Sequence, residues 1–172
     1  MLKRILIVGA VGLMSSLIYA QDQKPPPEQP PAGAAPAAGA TMTPVARADA
    51  TPKGSLKNPY KDDDAAVVEA GGKLYLGYGC NGCHGGNGGG GMCPPLTNDT
   101  WVYGPDDDTL FRLVSLGSDG LKAAGYHRVK QEVVVGPMPP FGGILKSSDQ
   151  LWKIITFIRS VNPSSVDKPP LQ

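Results

Sequence analysis

The chain has 172 residues, with 23 glycines and 18 prolines, and its formal charge is +1. Glycine and proline exceed their average usage, and the near-neutral charge excludes the strongly basic surface that nucleic-acid binding requires. Only three cysteines are present, and all of them fall between residues 80 and 93. The composition therefore points to a small domain whose chemistry is concentrated in one segment.

Residues 1–20 have the pattern of a signal peptide. Lys3 and Arg4 form a basic start, an apolar run follows, and Ala20 precedes the predicted cleavage site. The apolar run is shorter than the ~20 residues that a membrane span needs, so an uncleaved anchor is the less favoured alternative and no stable membrane insertion is expected. Cleavage would change the formal charge from +1 to −1, and in a bacterium the export signal predicts a periplasmic protein.

Residues 21–57 are rich in proline and alanine and contain no aromatic side chain. Such a segment buries too little apolar surface to offset its ordering entropy, which predicts a disordered linker. Folding is then left to residues 58–163, followed by a short tail at 164–172. A glycine-rich domain of this size usually needs a disulfide, a metal or a cofactor to complete its core.

The first predicted helix follows the acidic residues 62–64, whose charges suit a helix N-terminus, and leads into Cys80. Gly71 and Gly72 are poor helix formers, so their presence there indicates that another backbone comes close. The second helix is predicted from the run "PDDDTLFRLVSLGSDG", with aspartates 106–108 at its start and Gly117 at its end.

The third helix is the clearest, because Ser147 and Gln150 have the spacing of a capping box and isoleucines follow at helical intervals. Long irregular stretches separate the three helices, and "EVVVG" at 132–136 resembles a short strand. The fold class is therefore mainly α, with three or more helices and long loops. So much irregular chain in a compact domain predicts that another group fills its centre.

The segment Cys80-Asn81-Gly82-Cys83-His84 has the C-x-x-C-H spacing of covalent haem attachment. Two thiols one helical turn apart can add to the two vinyl groups of a porphyrin, while the adjacent imidazole lies beneath the iron. We therefore predict one haem c, held by thioether bonds to Cys80 and Cys83, with His84 as the proximal iron ligand.

Three other interpretations of this cluster fit the sequence less well. A structural zinc site prefers two separated ligand pairs, but Cys80, Cys83, His84 and Cys93 are all local. A redox dithiol would need a βαβ context, which is absent. A simple disulfide would leave His84 and the missing core unexplained.

The second axial ligand is predicted to be Met138, in the loop "VVGPMPPFGG". Its flanking prolines stiffen the backbone and lower the entropy cost of presenting a thioether, and His–Met ligation suits electron transfer. Met92 follows His84 too closely to reach the other face of a porphyrin, and His127 is the reserve ligand. The carbonyl of Cys93 or Pro94 is expected to accept the free N–H of His84 and so orient its ring.

The domain resembles a class I c-type cytochrome over about residues 65–162, on "GKLYLGYGCNGCHG", "GPMPPFGG" and the closing amphipathic helix. This resemblance implies a cytochrome c fold in which the first and last helices cross near Gly72 and Tyr75, against Ile154, Ile155 and Ile158. Two further segments, "GGGGMCPPLTNDTWVYGPDDDTLFRLVSLGSDG" and "MPPFGGILKSSDQLWKIITFIRS", are similar to the cytochrome cL-type acceptors of lanthanide-dependent, pyrroloquinoline quinone (PQQ) methanol dehydrogenases.

The resemblance implies an electron carrier rather than an enzyme. Its donor would be a quinoprotein methanol or alcohol dehydrogenase, and its acceptor a downstream cytochrome c or a terminal oxidase. Two alternatives remain at this point: a general respiratory cytochrome unconnected with alcohols, and a haem sensor or peroxidase with an open sixth site. The aspartates at 106–108 and 62–64 are candidate docking charges, and Trp101 and Tyr103 are candidate donors to a haem propionate.

Overall fold

The computed structural model describes residues 38–162, which form five helices and, within that range, no strand. In chain order these helices are α1 (Pro44–Ala50), α2 (Ala65–Gly77), α3 (Cys80–His84), α4 (Asp107–Ala123) and α5 (Ser148–Ser160). The prediction of a mainly α fold is confirmed. The predicted signal peptide at 1–20, the first part of the linker and the tail at 164–172 lie outside the described residues. None of the helices described is both long and apolar enough to cross a membrane.

Helix α2 begins where the acidic run predicted it. The carboxylate of Asp64 accepts hydrogen bonds from the backbone N–H groups of Ala66 and Val67, at 3.1 and 3.2 Å. These groups have no partner within the helix, so the side chain completes its first turn. The helix then ends just before the segment that carries the cysteines.

Helix α5 starts at the predicted cap. The Ser147 hydroxyl accepts from the backbone N–H of Gln150 at 3.3 Å. The Gln150 side chain, however, accepts from the backbone N–H of Lys146 at 3.1 Å rather than from that of Ser147. The helix start is therefore as predicted, while the return bond of the capping box is displaced by one residue.

Helix α4 continues beyond the point where Gly117 was expected to end it. Gly117 breaks the helical geometry with φ 70° and ψ 175°, and a second helical stretch follows as far as Ala123. A residue with a side chain rarely adopts this φ, so glycine is required here. The break frees the N–H of Ser118, which donates to the carbonyl of Met138 at 2.9 Å instead of to its own helix.

Helices α2 and α5 pack together most closely at Gly71. A Cβ on this residue would lie 2.0 Å from the carbonyl oxygen of Lys153, so the predicted close approach of another backbone is observed. The rings of Tyr75 and Phe157 contact each other nearby, with centroids 5.1 Å apart and planes tilted by 49°. The expected contact of Gly72 with isoleucines is wrong in its partner, because a Cβ on Gly72 would meet the ring of Phe157 at 3.2 Å.

Residues 38–57 are not a disordered linker. They include α1, and Ala48 and Leu56 are each only 1 % exposed within the hydrophobic core. The segment lies over α4, where the buried guanidinium of Arg112 donates to the carbonyls of Ala48 and Thr51 at 2.8 and 2.6 Å. Composition alone does not predict this order, because backbone carbonyls bound by a charged side chain contribute to it without large apolar side chains.

Residues 132–136 do not form a strand. Within this segment Val133 is 93 % exposed and Val135 is 74 % exposed, so their side chains have no apolar surface to cover. The run of three valines that suggests a strand is too short to be decisive, because strand formation depends on a partner strand.

Candidate haem site

A cavity of about 530 Å³ lies between α3, the C-terminal part of α5 and the loop that carries Met138. All four predicted haem-binding residues line it: Cys80, Cys83, His84 and Met138. Apolar side chains from α4 and α5 form much of the remaining wall: Leu110, Leu113, Val114, Ile154, Ile155 and Ile158. The volume falls in the usual range for cofactor pockets, and the cavity occupies the centre that the sequence left unfilled.

The short helix α3 presents the cysteines and the histidine together. Because Cys80 and Cys83 are three positions apart in a helix, their side chains lie on one face, and His84 follows directly. All three line the cavity. Helical geometry therefore brings two thiols and an imidazole to one wall, as two thioether bonds and an axial nitrogen require.

The ring of His84 is oriented by a backbone carbonyl. Its Nδ1 lies 2.8 Å from the carbonyl oxygen of Pro94. A carbonyl can only accept, so Nδ1 is the donor in this bond, and in the neutral imidazole Nε2 then carries the lone pair that metal binding requires. The prediction that Cys93 or Pro94 supplies this acceptor is confirmed, with Pro94 as the acceptor.

The glycine-rich segment 85–91 returns the chain close to α3. The backbone N–H of Gly90 donates to the carbonyl of His84 at 2.8 Å, and that of Cys93 donates to the carbonyl of Cys83 at 3.1 Å. The buried hydroxyl of Tyr75 donates to the carbonyl of Gly85 at 2.8 Å. These bonds join the end of α3 to α2 and to the chain that carries Pro94.

Met138 reaches the cavity from a loop that is bonded to the break in α4. Its N–H donates to the hydroxyl of Ser118 at 2.9 Å, and its carbonyl accepts from the N–H of the same serine. The two competing ligand candidates lie elsewhere: Met92 is 59 % exposed, His127 is exposed, and neither lines the cavity. Met138 is therefore the candidate that shares the cavity with His84.

None of the three cysteines forms a disulfide bond. Burial raises the pKa of the Cys80 thiol. Burial also raises the pKa of Cys93, and a hydrogen bond with the Cys83 side chain raises it further. Cys93 is thus a half-buried thiol in contact with Cys83.

A buried donor at the cavity has no hydrogen-bond partner among the described residues, and bound haem would supply one. The indole Nε1 of Trp101 is buried and makes no hydrogen bond, and a propionate oxygen is the kind of acceptor it needs. The Oε2 atom of Glu132 is also buried without a partner, but as an acceptor it would not pair with an ionised propionate. The donor set, the apolar walls and Trp101 together fit haem c.

The zinc alternative finds no support in the part of the chain that the structure describes. No three His, Cys, Asp or Glu side chains are arranged there to hold a metal ion, whereas structural zinc requires four such ligands.

The aspartates at 106–108 are not a docking surface. They are 4, 4 and 2 % exposed, and their carboxylates are bonded within the domain. Asp106 caps α4 through the N–H of Thr109, and Asp107 pairs with Arg159 at 2.6 Å. These charges hold the fold together and do not face a partner.

Two residues that shape the site were missed in the sequence. Ser118 binds both backbone groups of Met138, and Phe141 lines the cavity and donates from its N–H to the carbonyl of Val114 at 2.9 Å. A serine directly after a helix-breaking glycine was the only signal for Ser118. Phe141 carried none, because it lies in a loop with no periodic pattern.

Comparison with known proteins agrees with this geometry. The family model described as Cytochrome c matches residues 68–162, a range that includes the cysteine–histidine cluster, Met138 and α5. The chain belongs to the cytochrome c family. The cofactor of this cytochrome is accordingly haem c, attached covalently, and the prediction of a c-type cytochrome is confirmed.

Among solved structures, the cytochrome is similar to cytochrome cL from the marine methylotrophic bacterium Methylophaga aminisulfidivorans. The sequence identity is 24 %, the TM-score is 0.42, and the similarity covers 59 % of this chain and 57 % of that one. The cytochrome thus matches little more than half the length of that neighbour. No curated protein is detectably similar to it in sequence.

Proposed function

We propose that this cytochrome is a periplasmic one-electron carrier that accepts electrons from a PQQ-dependent methanol or alcohol dehydrogenase and passes them to the respiratory chain. Haem c would be attached through Cys80 and Cys83, with His84 and Met138 as axial ligands. The observation that carries the proposal is that these four residues line one apolar cavity. When bound, haem supplies a one-electron iron couple whose potential His–Met ligation raises.

The residues around the cavity favour electron transfer over reaction with a substrate. The Pro94 carbonyl holds the His84 ring in one orientation, and Ser118 holds both backbone groups of Met138. Axial ligands whose positions are fixed would move little when the iron gains or loses an electron. Rapid electron transfer needs such a small rearrangement. An electron-transfer protein rather than an enzyme is therefore proposed.

The donor is proposed from the two segments that resemble cytochrome cL-type acceptors. These segments, at 88–120 and 138–160, contribute Pro94, Trp101, Met138 and Phe141 to the cavity lining, which supports the proposal. The export pattern at 1–20 agrees with a donor and an acceptor outside the cytoplasm. The acceptor is proposed to be a downstream cytochrome c or a terminal oxidase.

Covalent attachment is tested by the mass of the protein matured in a periplasm that can attach haem. We expect the wild type to exceed its polypeptide mass by one haem. Cys80→Ser and Cys83→Ser should each lose one thioether bond and carry covalent haem on a smaller share of the chains, and the double variant should release all of its haem into acidified organic solvent. Cys93→Ser is the matched control and should keep its haem. A colourless wild type of polypeptide mass would contradict the proposal.

The donor is tested by mixing the oxidised cytochrome with PQQ methanol dehydrogenase and methanol, and following haem reduction by stopped-flow absorbance. We expect reduction that saturates with cytochrome concentration and that stops when methanol is omitted. An unrelated c-type cytochrome of similar potential serves as the control. If both are reduced at the same slow rate, the donor assignment is wrong and a general respiratory cytochrome becomes the better interpretation.

A further inference from the structure

Residues 38–57, here called the strap, lie before the part of the chain that matches the cytochrome c family model, which begins at residue 68. The strap is nevertheless folded, and it contacts α4, α5 and the loop from Met138 to Ser147, which directly precedes α5. The strap makes hydrogen bonds to α4 and α5 and a packing contact with the loop. Together these contacts indicate that the strap does more than cover the core.

On α4 the strap is held by one guanidinium group. Arg112 is 6 % exposed, and it donates to the carbonyls of Ala48, Thr51 and Pro52 at 2.8, 2.6 and 3.2 Å. Its Nε pairs with Asp108 at 3.0 Å. Hydrogen bonds from a buried charged group are stronger than neutral ones, so the strap is bound firmly at this point.

On α5 the strap supplies acceptors for the first turn. The carbonyl of Met42 accepts from the N–H and the hydroxyl of Ser148 at 2.7 and 2.9 Å, and the carbonyl of Ala40 accepts from the N–H of Asp149 at 3.1 Å. The first N–H groups of a helix have no partner within it. The strap therefore completes the helix start that immediately follows the Met138 loop.

Between these two anchor points the strap contacts the Met138 loop itself. A Cβ on Gly142 would lie 2.6 Å from Val45 Cγ2 and 2.6 Å from the carbonyl oxygen of Ser115. The N–H of Gly142 donates to that same carbonyl at 3.0 Å. The loop backbone is thus enclosed between α4 on one side and the Val45 side chain on the other, with no space for a larger residue.

The loop can bind α4 in this way because α4 is broken at Gly117. In a continuous helix the carbonyl of Val114 would accept from Ser118. Here the Ser118 N–H donates to Met138, and the Val114 carbonyl accepts from Phe141 of the loop at 2.9 Å. The hydrogen bonds from Ser118 to Met138 and from Phe141 to Val114 form only while the loop stays against the break in α4. Val45 contacts the loop at Gly142, on the side that faces away from α4.

We propose that the strap positions Met138 by pressing its loop onto the break in α4, and that Val45 and Arg112 are positioning residues for the axial thioether. This inference rests on the proposed ligation by Met138. Loosening the strap lets the loop leave α4, which carries the methionine away from the iron and opens the sixth site to an external ligand.

The test measures how fast imidazole displaces the methionine in the ferric holoprotein, since departure of Met138 limits this exchange. Val45→Ala removes the contact with Gly142 but keeps α1, and we expect it to accelerate the exchange by roughly tenfold, equivalent to about 1.4 kcal/mol. Arg112→Gln should accelerate it further. Gly72→Ala is the control, because it crowds Phe157 at the α2–α5 contact and does not touch the strap.

A second measurement does not depend on haem chemistry. Amide hydrogen exchange at Phe141 and Gly142 should increase in Val45→Ala while exchange within α2 remains unchanged. The inference is overturned if Val45→Ala exchanges imidazole and loop amides no faster than the wild type, or no faster than Gly72→Ala at equal loss of global stability.

A failure of the proposed function gives a different result. If Met138 is not a ligand, the wild-type ferric protein lacks the absorption band of Met–iron ligation at the red edge of the visible spectrum, and imidazole binds it at once. A wild type that shows the band, combined with strap variants that leave the exchange unchanged, overturns the strap proposal alone.

Discussion

Gly71 of α2 lies directly against the backbone carbonyl of Lys153 in α5, so closely that a Cβ on the glycine would be 2.0 Å from that oxygen. The carbonyl belongs to the backbone of a helix, so it cannot move aside as a side chain can. This contact sets the distance between the two helices. It thereby also sets the position of Tyr75, an α2 residue that lines the haem cavity.

We expect Gly71→Ala to destabilise the folded cytochrome by at least about 2 kcal/mol, because crowding a packed contact costs about 1–3 kcal/mol even where side chains can adjust. Gly77→Ala is the matched control, since it lies in the same helix and a Cβ there meets nothing within 4 Å. The measurement is denaturant unfolding of the holoprotein. Equal stability of the two variants would show that the helices are not held at this distance.

Substitution of Met138 is expected to remove the axial thioether without unfolding the domain. Met138→Ala should lose the ferric band of methionine ligation, bind imidazole readily and show a lower reduction potential, because thioether ligation raises it. Met92→Ala is the control, as this methionine is 59 % exposed and lies outside the cavity. Absorption spectra and potentiometry check both variants. A Met138→Ala spectrum identical to that of the wild type would exclude the assigned ligand.

The hydroxyl of Tyr75 is a buried donor whose bond to Gly85 should persist to high pH. Burial raises the pKa of Tyr75 to about 12, and the neighbouring Cys80 and Cys83 sulfurs raise it less. Thioether formation would remove the contribution of the sulfurs and leave that of burial. Because the folded-state pKa is above the ordinary value of 10.0, the neutral phenol stabilises the fold below pH 10, and this contribution is lost as the pH rises toward 12.

Tyr75→Phe should therefore cost about 1 kcal/mol near neutral pH, as expected for the loss of one buried hydrogen bond. The difference in unfolding free energy between wild type and variant should decrease above pH 10. Unfolding curves at several pH values measure it. A difference that is independent of pH up to the alkaline limit of the fold would argue against a buried, titrating phenol at this position.

Asp108 makes the junction between the strap and α4 sensitive to acid. Burial alone would raise the pKa of Asp108, but hydrogen bonds from four groups lower it below its ordinary value of 3.8: the Tyr126 hydroxyl, the backbone amides of Leu56 and Gly54, and the guanidinium of Arg112. A carboxyl group with a lowered folded-state pKa stabilises the fold at pH values above 3.8, and this contribution is lost as the pH falls through the lower folded value.

We expect Asp108→Asn to lower the unfolding free energy by about 3 kcal/mol at neutral pH, because it leaves the buried guanidinium of Arg112 without its carboxylate. The difference from the wild type should shrink on acidification. Asp119→Asn is the control, since its pair with Lys122 is exposed and contributes little. Urea unfolding from pH 7 to well below pH 3.8 measures both, and a deficit that stays constant below pH 3.8 would contradict the assignment.

Much of the site could be predicted from the sequence because its parts are local. The spacing of Cys80, Cys83 and His84 is read within one helical turn, and helix caps such as Ser147 act over three residues. Met138 was predicted as the second ligand from the stiffness of its own loop, and it lines the cavity. For these features the chemistry depends on neighbours along the chain, so the pattern of residues is sufficient to indicate it.

The remaining features were decided by contacts between residues distant in sequence. The order of residues 38–57 depends on Arg112, which is 64 positions from Ala48. The composition of the segment alone cannot reveal a partner so distant in sequence. The aspartates 107 and 108 read as surface charges until Arg159, Tyr126 and Leu56 surround them. Gly117 reads as a helix end, yet the helix resumes, because the loop of Met138 takes up the carbonyls that the break exposes. Local preference determined the elements and the haem-binding motif, whereas burial of backbone groups and charges, which needs partners brought together by folding, decided how they are held.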